Sequence, residues 1–308
     1  SWYIESLTHE FAEKVWAKFQ EIEQAGGIVK CLENGKVQAA VKSVLDDRFK
    51  KLATRADRAV GNNMYPNVTE VALEVPTIDF AAIRAERLEA LAANAEKREA
   101  AQVRTLLTAL NECDGSEAGE LIELAKQAMA AGATMGEIAG ILASDATPVT
   151  IEPILPHRWT ERYEEMRRRT EAFKARTGEN VKIFLANMGP IPQHKARADF
   201  VTSFMQVANF EVLLNNGFPT VEEAAEAALK SGADVTIVCS TDATYPELAP
   251  AVTQLIKAAN PKMKVFLAGA PSKELKEVCD AAGMDDYISV KSNCYETLVK
   301  MQQERGMF

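Results

Sequence analysis

The stretch VKIFLANMGPIPQHKARA, residues 181–198, decides the fold. Its first part, 181–186, is a short apolar run followed by Gly189, Pro190 and Pro192. This pattern is typical of a strand buried on both faces of a parallel sheet, followed by a sharp turn and a helix. In open α/β sheets such a turn lies at the carboxyl edge of the strands, where ligands bind. The turn at 187–192 is therefore where a ligand-binding function has to be tested.

The alternation of strand and helix continues to the end of the sequence. Helix-capping residues agree with it, because Thr220 precedes one predicted helix and Gly232 follows it. Five βα units predict a flavodoxin-like, doubly wound parallel sheet with strand order 2-1-3-4-5. The predicted strands are 181–186, 210–214, 234–239, 264–268 and 287–290, and the predicted helices are 194–207, 221–231, 245–259, 272–281 and 293–303.

Residues 1–178 are predominantly helical by their apolar spacing. Helices are predicted at 7–25, 28–33, 36–54, 117–131, 134–144 and 159–176, with a strand-like start at 59–65. One long helix is predicted at 81–110, with a buried stripe of Ile83, Leu88, Leu91, Val103, Leu106 and Leu110. Ser116 and Thr134 are predicted N-caps. We expect three parts, 1–66, 67–178 and 179–308, of which the first has too small a core to fold alone.

Composition excludes several classes of function. The net charge of −9 and the pI near 5.1 argue against nucleic-acid or anionic-membrane partners, which need clustered basic residues. The only basic cluster is at 167–169, and we interpret it as a solvated face or a subunit contact. No apolar run approaches the roughly 20 residues that span a bilayer, and no signal segment opens the sequence, so we expect a cytoplasmic or organelle-matrix protein, with cytoplasmic as the preferred interpretation. Because Ser1 and Trp2 run directly into a helix, we expect the carboxyl part of a longer protein.

Neither a disulfide framework nor a metal site is predicted. The five cysteines are scattered, odd in number and without a CxxC pair, and the three histidines lie far apart. We assign no catalytic residue and no metal. The five cysteines are Cys31, Cys113, Cys239, Cys279 and Cys294, and the three histidines are His9, His157 and His194.

Three segments resemble the methylmalonyl-CoA mutase family. SWYIESLTHEFAEKVWAKFQEIEQAGG (1–27) and VGNNMYPN (60–67) are similar to the closing segment of that family's (β/α)8 barrel, and GPIPQHKARADF (189–200) resembles its small-subunit turn. The resemblance implies that 1–66 closes a mutase-type barrel and that 67–178 is a helical linker that wraps the partner subunit. It implies that 179–308 is a homologue of the cobalamin-binding domain.

The family's cobalamin-binding members carry Asp-x-His-x-x-Gly after the first strand, in which His ligates cobalt and Asp orients that His. Here no register restores the pattern. An ungapped alignment from Gly189 places Ile191, Gln193 and Ala196 at the three positions. If His194 is placed at the ligand position instead, Pro192 and Arg197 stand where Asp and Gly belong. His194 is left as a weak candidate for a cobalt ligand.

Two further loops match the family weakly. Ser240 and Thr241 follow the third strand and Gly269 follows the fourth, so with Gly189 and His194 they complete the weak cofactor-binding candidates. The competing interpretation is that any doubly wound fold needs small and hydroxyl residues at this edge. Cys239 could be a nucleophile or a buried thiol, and we favour the latter. Asp242 could suggest a phosphate receiver, but Asn187 stands where such domains keep an acid.

The resemblance implies a non-catalytic small subunit that binds no cofactor itself. It would support a homologous large subunit, which holds adenosylcobalamin and interconverts methylmalonyl-CoA and succinyl-CoA. One alternative is a chain of an acyl-CoA mutase that holds cobalamin without the usual His ligand. Another is a self-associating scaffold with no mutase partner.

Overall fold

The computed structural model describes residues 1–70, 73, 76–113, 118–143 and 149–308. The chain forms two compact units, one made of 1–70 with 151–308 and the other of 71–150. Each unit has its own hydrophobic core. In the described parts of the chain, no helix is both long enough and apolar enough to cross a membrane.

The first unit begins with three helices, α1 (Trp2–Gln24), α2 (Gly27–Glu33) and α3 (Lys36–Ala53). Helix α1 starts earlier than the predicted residue 7, because Thr8 lies inside it and donates its hydroxyl to the Ile4 carbonyl (2.8 Å). None of the residues of α1 is buried, whereas α3 buries Phe49 and Leu52. The apolar stripe of α1 is therefore exposed in this chain.

The strand-like start predicted at 59–65 is wrong, because this segment is a turn with a single bridge between Val60 and Met64. The turn is held by hydrogen bonds between the side chain of Asn63 and backbone groups, where a strand would have backbone–backbone hydrogen bonds. This side chain is buried, its Oδ1 accepts from the Ala59 amide (2.8 Å), and its Nδ2 donates to the carbonyls of Leu52 and Asp57 (both 2.9 Å). A chain that reverses within five residues leaves no room for a strand.

The second unit consists of α4 (Phe80–Lys97), α5 (Ala100–Glu112), α6 (Ala118–Ala130) and α7 (Met135–Leu142). The single long helix predicted at 81–110 is wrong, because Arg98 adopts an extended conformation (ψ 151°) between α4 and α5. Its guanidinium donates to both carboxylate oxygens of Glu137 (2.7 and 2.9 Å). This bidentate pair, formed with a distant part of the sequence, accompanies the break.

The core of the second unit contains part of the predicted stripe. Val103 and Leu110 of α5 are buried and Leu106 packs against them, whereas Ile83, Leu88 and Leu91 of α4 are exposed, so the stripe is correct only for α5. The predicted cap at Thr134 is confirmed, since Thr134 and Glu137 form a complete capping box. The predicted cap at Ser116 lies outside the described residues.

The rest of the first unit contains a five-stranded parallel sheet in the order β2-β1-β3-β4-β5, which confirms the predicted flavodoxin-like α/β topology. Helix α8 precedes the sheet, and a 3₁₀ turn (Gln206–Ala208) follows α9. The elements are α8 (Glu161–Thr177), β1 (Lys182–Asn187), α9 (Ile191–Met205), β2 (Glu211–Leu213), α10 (Val221–Lys230), β3 (Val235–Cys239), α11 (Tyr245–Ala259), β4 (Lys264–Ala268), α12 (Lys273–Ala281), β5 (Asp286–Ile288) and α13 (Cys294–Glu304).

Both faces of the sheet are buried. Ile183 and Leu185 of β1 belong to the core that includes residues of α8, α9 and α13, and Phe184 and Ala186 belong to the core that includes residues of α10 and α11. Alternate residues of a strand point to opposite faces, so a strand covered on both sides needs an unbroken apolar run. This explains why residues 181–186 carry so clear a signal.

Candidate functional site

The turn after β1 is held between the loops that follow β2 and β3. The Met188 amide donates to the Cys239 carbonyl (2.9 Å), and the Gly189 amide donates to the Phe218 carbonyl (3.0 Å). Gly189 has a φ of +76°, and a Cβ there would collide with the side chain of Gln193. The turn is therefore tight, and glycine is required in it.

Helix α9 begins at Ile191, three residues before the predicted start, and this shortens the turn at the candidate site. Pro190 is its N-cap and Pro192 lies in its first turn, where a fixed φ and a missing amide proton are tolerated. The two prolines thus start the helix at once. Residues that a longer loop could have offered to a ligand are part of the helix instead.

His194 lies in the first turn of α9 and is bonded locally. Its Nδ1–H donates to the Gly189 carbonyl (3.0 Å), and the residue is only 3% exposed. The ring packs against Gly217, where a Cβ would lie 2.6 Å from His194 Cε1 and 2.9 Å from the Gly189 carbonyl oxygen. The imidazole therefore occupies the space between the turn after β1 and the loop after β2.

The residues at the aligned motif positions all lie on the exposed side of α9. Ile191 is 53% exposed, and Gln193 and Ala196 are also exposed. The hydrogen-bond acceptor for the His194 ring is a carbonyl group instead of a carboxylate. The arrangement provides a structural cap for the turn.

At the end of β3, the hydroxyl groups are used within the chain. Ser240 is buried, its Oγ donates to the Met188 carbonyl (3.3 Å), and it shares a hydrogen bond with Thr244 Oγ1 (2.8 Å). Thr241 Oγ1 lies 3.1 Å from the same Thr244 oxygen. Ser240 and Thr241 therefore connect the β1 and β3 loops to the start of α11.

Tyr245 links the ends of β3 and β4. Its hydroxyl accepts from the Ser240 amide (3.1 Å) and donates to the Ala268 carbonyl (2.7 Å), and its ring is almost fully buried. Burial raises the pKa of this hydroxyl above its usual range, so it stays protonated and able to donate. Gly269 lies over the ring, since a Cβ there would be 3.3 Å from Tyr245 Cε2.

A pair of amides lies where a phosphate receiver would keep its acids. Asn187 Nδ2 donates to Asn215 Oδ1 (3.1 Å), and Asn215 Nδ2 donates to the Leu185 carbonyl (2.7 Å). The acid of the β3 loop, Asp242, is bound by Arg197 (2.8 Å) and is largely exposed. An exposed pair of this kind contributes little to stability.

Cys239 ends β3 and is fully buried. Burial raises the pKa of its thiol well above its usual range and outweighs the opposite effect of the Arg197 charge, so it remains a thiol at neutral pH. This agrees with the buried-thiol interpretation. Within the described ranges, no three His, Cys, Asp or Glu side chains are grouped so that they could hold a metal ion.

The structure brings Gly189, His194, Ser240 and Gly269 to one edge, as the topology predicts, and adds three residues that sequence reasoning missed. These are Asn215, Gly217 and Tyr245. The Asn-Asn-Gly run at 215–217 signals a turn but not its contact with His194. The position of Tyr245 at a helix start gives no signal that its side chain turns inward.

The chain thus contains a doubly wound α/β fold. At the carboxyl edge of its strands, where such folds usually bind ligands, the space is filled by the chain's own side chains. The family model for methylmalonyl-CoA mutase matches residues 1–147. The methylmalonyl-CoA mutase small subunit of Porphyromonas gingivalis is 28% identical over the whole chain, which covers 38% of that relative. The large subunit from the same organism is 27% identical over 87% of the chain, and 39% of its own length is covered. The chain is therefore similar to methylmalonyl-CoA mutases, over residues 1–147 by the family model and over its whole length by the small-subunit relative.

The chain spans about two fifths of the length of these relatives (38% and 39%). A solved cobalamin-binding protein from Desulfitobacterium hafniense aligns with a TM-score of 0.34 and 16% identity, covering 69% of this chain and 95% of that one. A likeness at this level supports no conclusion about function.

Proposed function

We propose that this chain is part of a non-catalytic small subunit of a heterodimeric, cytoplasmic, adenosylcobalamin-dependent methylmalonyl-CoA mutase. A homologous large subunit would hold the cofactor and interconvert methylmalonyl-CoA and succinyl-CoA, which makes the complex an isomerase. In this assignment residues 1–66 close a barrel, residues 67–178 form the linker and residues 179–308 are a structural homologue of the cobalamin domain. This chain itself would bind no cofactor and contribute no catalytic residue.

The observation that carries the proposal is the turn after β1. Its aligned residues, Ile191, Gln193 and Ala196, offer neither an imidazole at the ligand position nor a carboxylate to orient one. A cobalt-bound histidine needs a free ring nitrogen and an acceptor that fixes the orientation of the ring. His194 is displaced by one position and is buried against Gly217.

The rest of the edge supports the same conclusion. The hydroxyl of Tyr245 occupies the space between the ends of β3 and β4. The hydroxyl of Ser240 is hydrogen-bonded to the Met188 carbonyl and to Thr244 Oγ1. A cofactor that entered here would have to displace these internal bonds. The residues present therefore do not fit cobalamin, and we derive no chemical step through it.

The first test uses adenosylcobalamin. The purified chain, mixed with the cofactor and desalted, should be colourless and show no corrin absorbance. Retention of a stoichiometric coloured species would contradict the proposal, provided that His194→Ala abolishes it and His9→Ala does not. His9 is a suitable control because it is exposed on α1, away from the sheet edge.

Exposed apolar helix faces support a protein partner. Trp2, Phe11 and Trp16 are exposed on α1, and Phe80 and Leu88 are exposed on α4. Large exposed apolar patches usually mark interaction surfaces. Co-expression with a large mutase subunit should give a co-eluting complex in size exclusion. A persistent homodimer that ignores the large subunit would favour the scaffold alternative.

One observation favours the cobalamin-binding alternative. Because the Nδ1–H of His194 donates to the Gly189 carbonyl, the neutral ring has its lone pair on Nε2, the state that a metal ligand requires. On this alternative the cofactor would bind after the turn opens. Its signature would be a corrin spectrum that changes in His194→Gln, whereas our proposal expects no corrin spectrum from either protein.

A further inference from the structure

A cavity of about 320 Å³ lies in the first unit, away from the sheet edge described above. It is formed by the loop after α3, one side of α9 and the loop after β5. Arg55 and Arg58 line it, together with Ser203 of α9 and Ser289 of the β5 loop. None of the residues of the β1, β3 and β4 loops lines it, so it is not part of the candidate cobalamin site.

The two arginines leave positive charge in this cavity. Among the described residues, no carboxylate lies within ion-pair distance of Arg55 or Arg58. The one acid in the lining, Asp199, is bound by Lys195 (2.8 Å). An uncompensated pair of guanidinium groups attracts an oxyanion.

The guanidinium of Arg55 is fixed in place. Its Nε donates to the Asn63 carbonyl (3.0 Å), and its Nη2 donates to Ser203 Oγ (2.9 Å). These bonds use one side of the fork, and the two Nη1 protons have no acceptor among the residues that the structure describes. The backbone of Arg55 has a φ of 60°, a left-handed conformation that is unfavourable for a non-glycine residue. Strained backbone of this kind is often found at binding sites.

Hydroxyl groups and an apolar wall complete the cavity. The Ser289 hydroxyl accepts from the Lys291 amide (3.2 Å), and no acceptor for its own proton lies in the described part of the chain. Phe200 and Phe204, with ring centroids 5.9 Å apart, form the wall with Tyr65. A basic, hydroxyl-lined side next to aromatic rings suits a molecule with an anionic group and a small apolar body.

We propose that this cavity binds a small organic oxyanion, a phosphate monoester or a carboxylate attached to an aromatic or short aliphatic group. Arg55 and Arg58 bind the oxyanion, Ser289 donates to it, and the aromatic wall contacts the apolar body. The volume is at the lower end of the range of ligand pockets, about 300 to 1,000 Å³, so the ligand is small. This proposal is independent of whether the chain binds cobalamin.

The test is isothermal titration calorimetry on the complete chain with four probes. Phenyl phosphate and benzoate carry the two kinds of oxyanion on a ring, inorganic phosphate lacks the ring, and benzyl alcohol lacks the charge. We expect one of the two ring-bearing anions to bind more tightly than inorganic phosphate, with benzyl alcohol not binding. The tighter of the two identifies the phosphate or the carboxylate class. Equal binding of benzyl alcohol, or no binding of either anion, overturns the proposal.

Matched arginine variants locate the binding. Arg58→Gln and Arg55→Lys should each weaken anion binding roughly tenfold. Arg58→Gln removes a charge, and Arg55→Lys removes the planar guanidinium that Asn63 and Ser203 hold in place. Arg87→Gln removes the same charge from an exposed residue of α4 and should change nothing. Arg58 is exposed, so its variant is expected to fold even if the Arg55 variant does not. Equal affinity in Arg58→Gln and Arg87→Gln contradicts the assignment.

Discussion

The Nδ1–H of His194 donates to the carbonyl of Gly189 at 3.0 Å, closing the turn after β1 from within the first turn of α9. The ring then faces Gly217, where even a methyl group would collide with it. The one histidine near this edge therefore has a structural contact on two sides. Its role in packing can be measured independently of any cofactor.

Gly217→Ala should destabilise the first unit strongly. The new Cβ would meet His194 Cε1 at 2.6 Å, and the residue has a φ of +97°. We expect a loss of about 2–5 kcal/mol from left-handed strain and overpacking together. The measurement is urea unfolding followed by far-UV circular dichroism.

Gly232→Ala is the matched control for this change. Gly232 also has a positive φ, of 67°, but a Cβ there meets nothing within 4 Å, so only the conformational cost of about 1–2 kcal/mol is expected. Adding His194→Ala to Gly217→Ala should recover part of the loss, since it removes the atom that collides. Equal effects of the two glycine substitutions would show that the ring does not constrain Gly217.

Tyr245→Phe should cost about 1–3 kcal/mol, because it leaves the Ser240 amide and the Ala268 carbonyl buried without their partner. Tyr287→Phe is the control. Its hydroxyl donates to Asp280 Oδ1 (2.7 Å) and lies 3.3 Å from the Lys276 carbonyl oxygen, but these contacts are exposed, so water can replace them. Thermal unfolding of both variants gives the comparison. A Tyr245→Phe variant as stable as Tyr287→Phe would contradict the bridging role.

The sheet was predictable because its signal is local. Residues 181–186 and 264–268 are apolar runs of the length of a strand, and the strands at these positions lie within a residue of the predicted bounds. The order β2-β1-β3-β4-β5 follows from the number of βα units and the preferred topology of such folds. Burial on both faces makes such runs unambiguous.

The errors occurred where a distant contact decides local structure. The helical spacing at 81–110 continues through Arg98, and only its pairing with Glu137 shows that the chain breaks there. At 59–65 the buried side chain of Asn63 holds a turn in a segment with strand-like composition. Neither the contact of Arg98 with Glu137 nor the hydrogen bonds of Asn63 can be predicted from the spacing of apolar residues within one segment.

The candidate site was predictable in position but not in packing. The topology brings Gly189, Ser240 and Gly269 to one edge, because the carboxyl ends of parallel strands meet there. The inward turn of Tyr245 and the contact between His194 and Gly217 depend on side-chain packing across loops. These contacts determine whether the edge is open to a ligand.

The cysteines should differ sharply in reactivity. Cys113 is partly exposed and the other four are buried. For Cys239 and Cys294 burial also raises the pKa of the thiol, to about 12 for Cys294, so little thiolate forms at neutral pH. We expect one thiol to react rapidly with Ellman's reagent in the folded chain and all five after denaturation. Cys113→Ser should abolish the rapid phase, and its persistence would show that a buried thiol is accessible.

The second unit should lose stability in acid through Glu137. The Arg98 guanidinium, followed by the amide and hydroxyl of Thr134, lowers the pKa of this carboxyl from 4.5 to about 2. A carboxyl whose pKa is lower in the folded state contributes stability above pH 4.5, and that contribution is lost as the pH falls towards 2. Hydrogen-exchange protection factors of α5, α6 and α7 should therefore decline over this range.

Two variants separate Glu137 from general acid effects. Glu137→Gln should lower protection at neutral pH and flatten the decline between pH 4.5 and 2, because the amide can neither ionise nor pair fully with Arg98. Glu89→Gln removes a carboxylate from the exposed face of α4 and should retain the decline of the parent chain. If the protection of the Glu137→Gln variant falls as steeply with decreasing pH as that of the Glu89→Gln variant, other carboxylates cause the acid sensitivity. The pair with Arg98 would then contribute little.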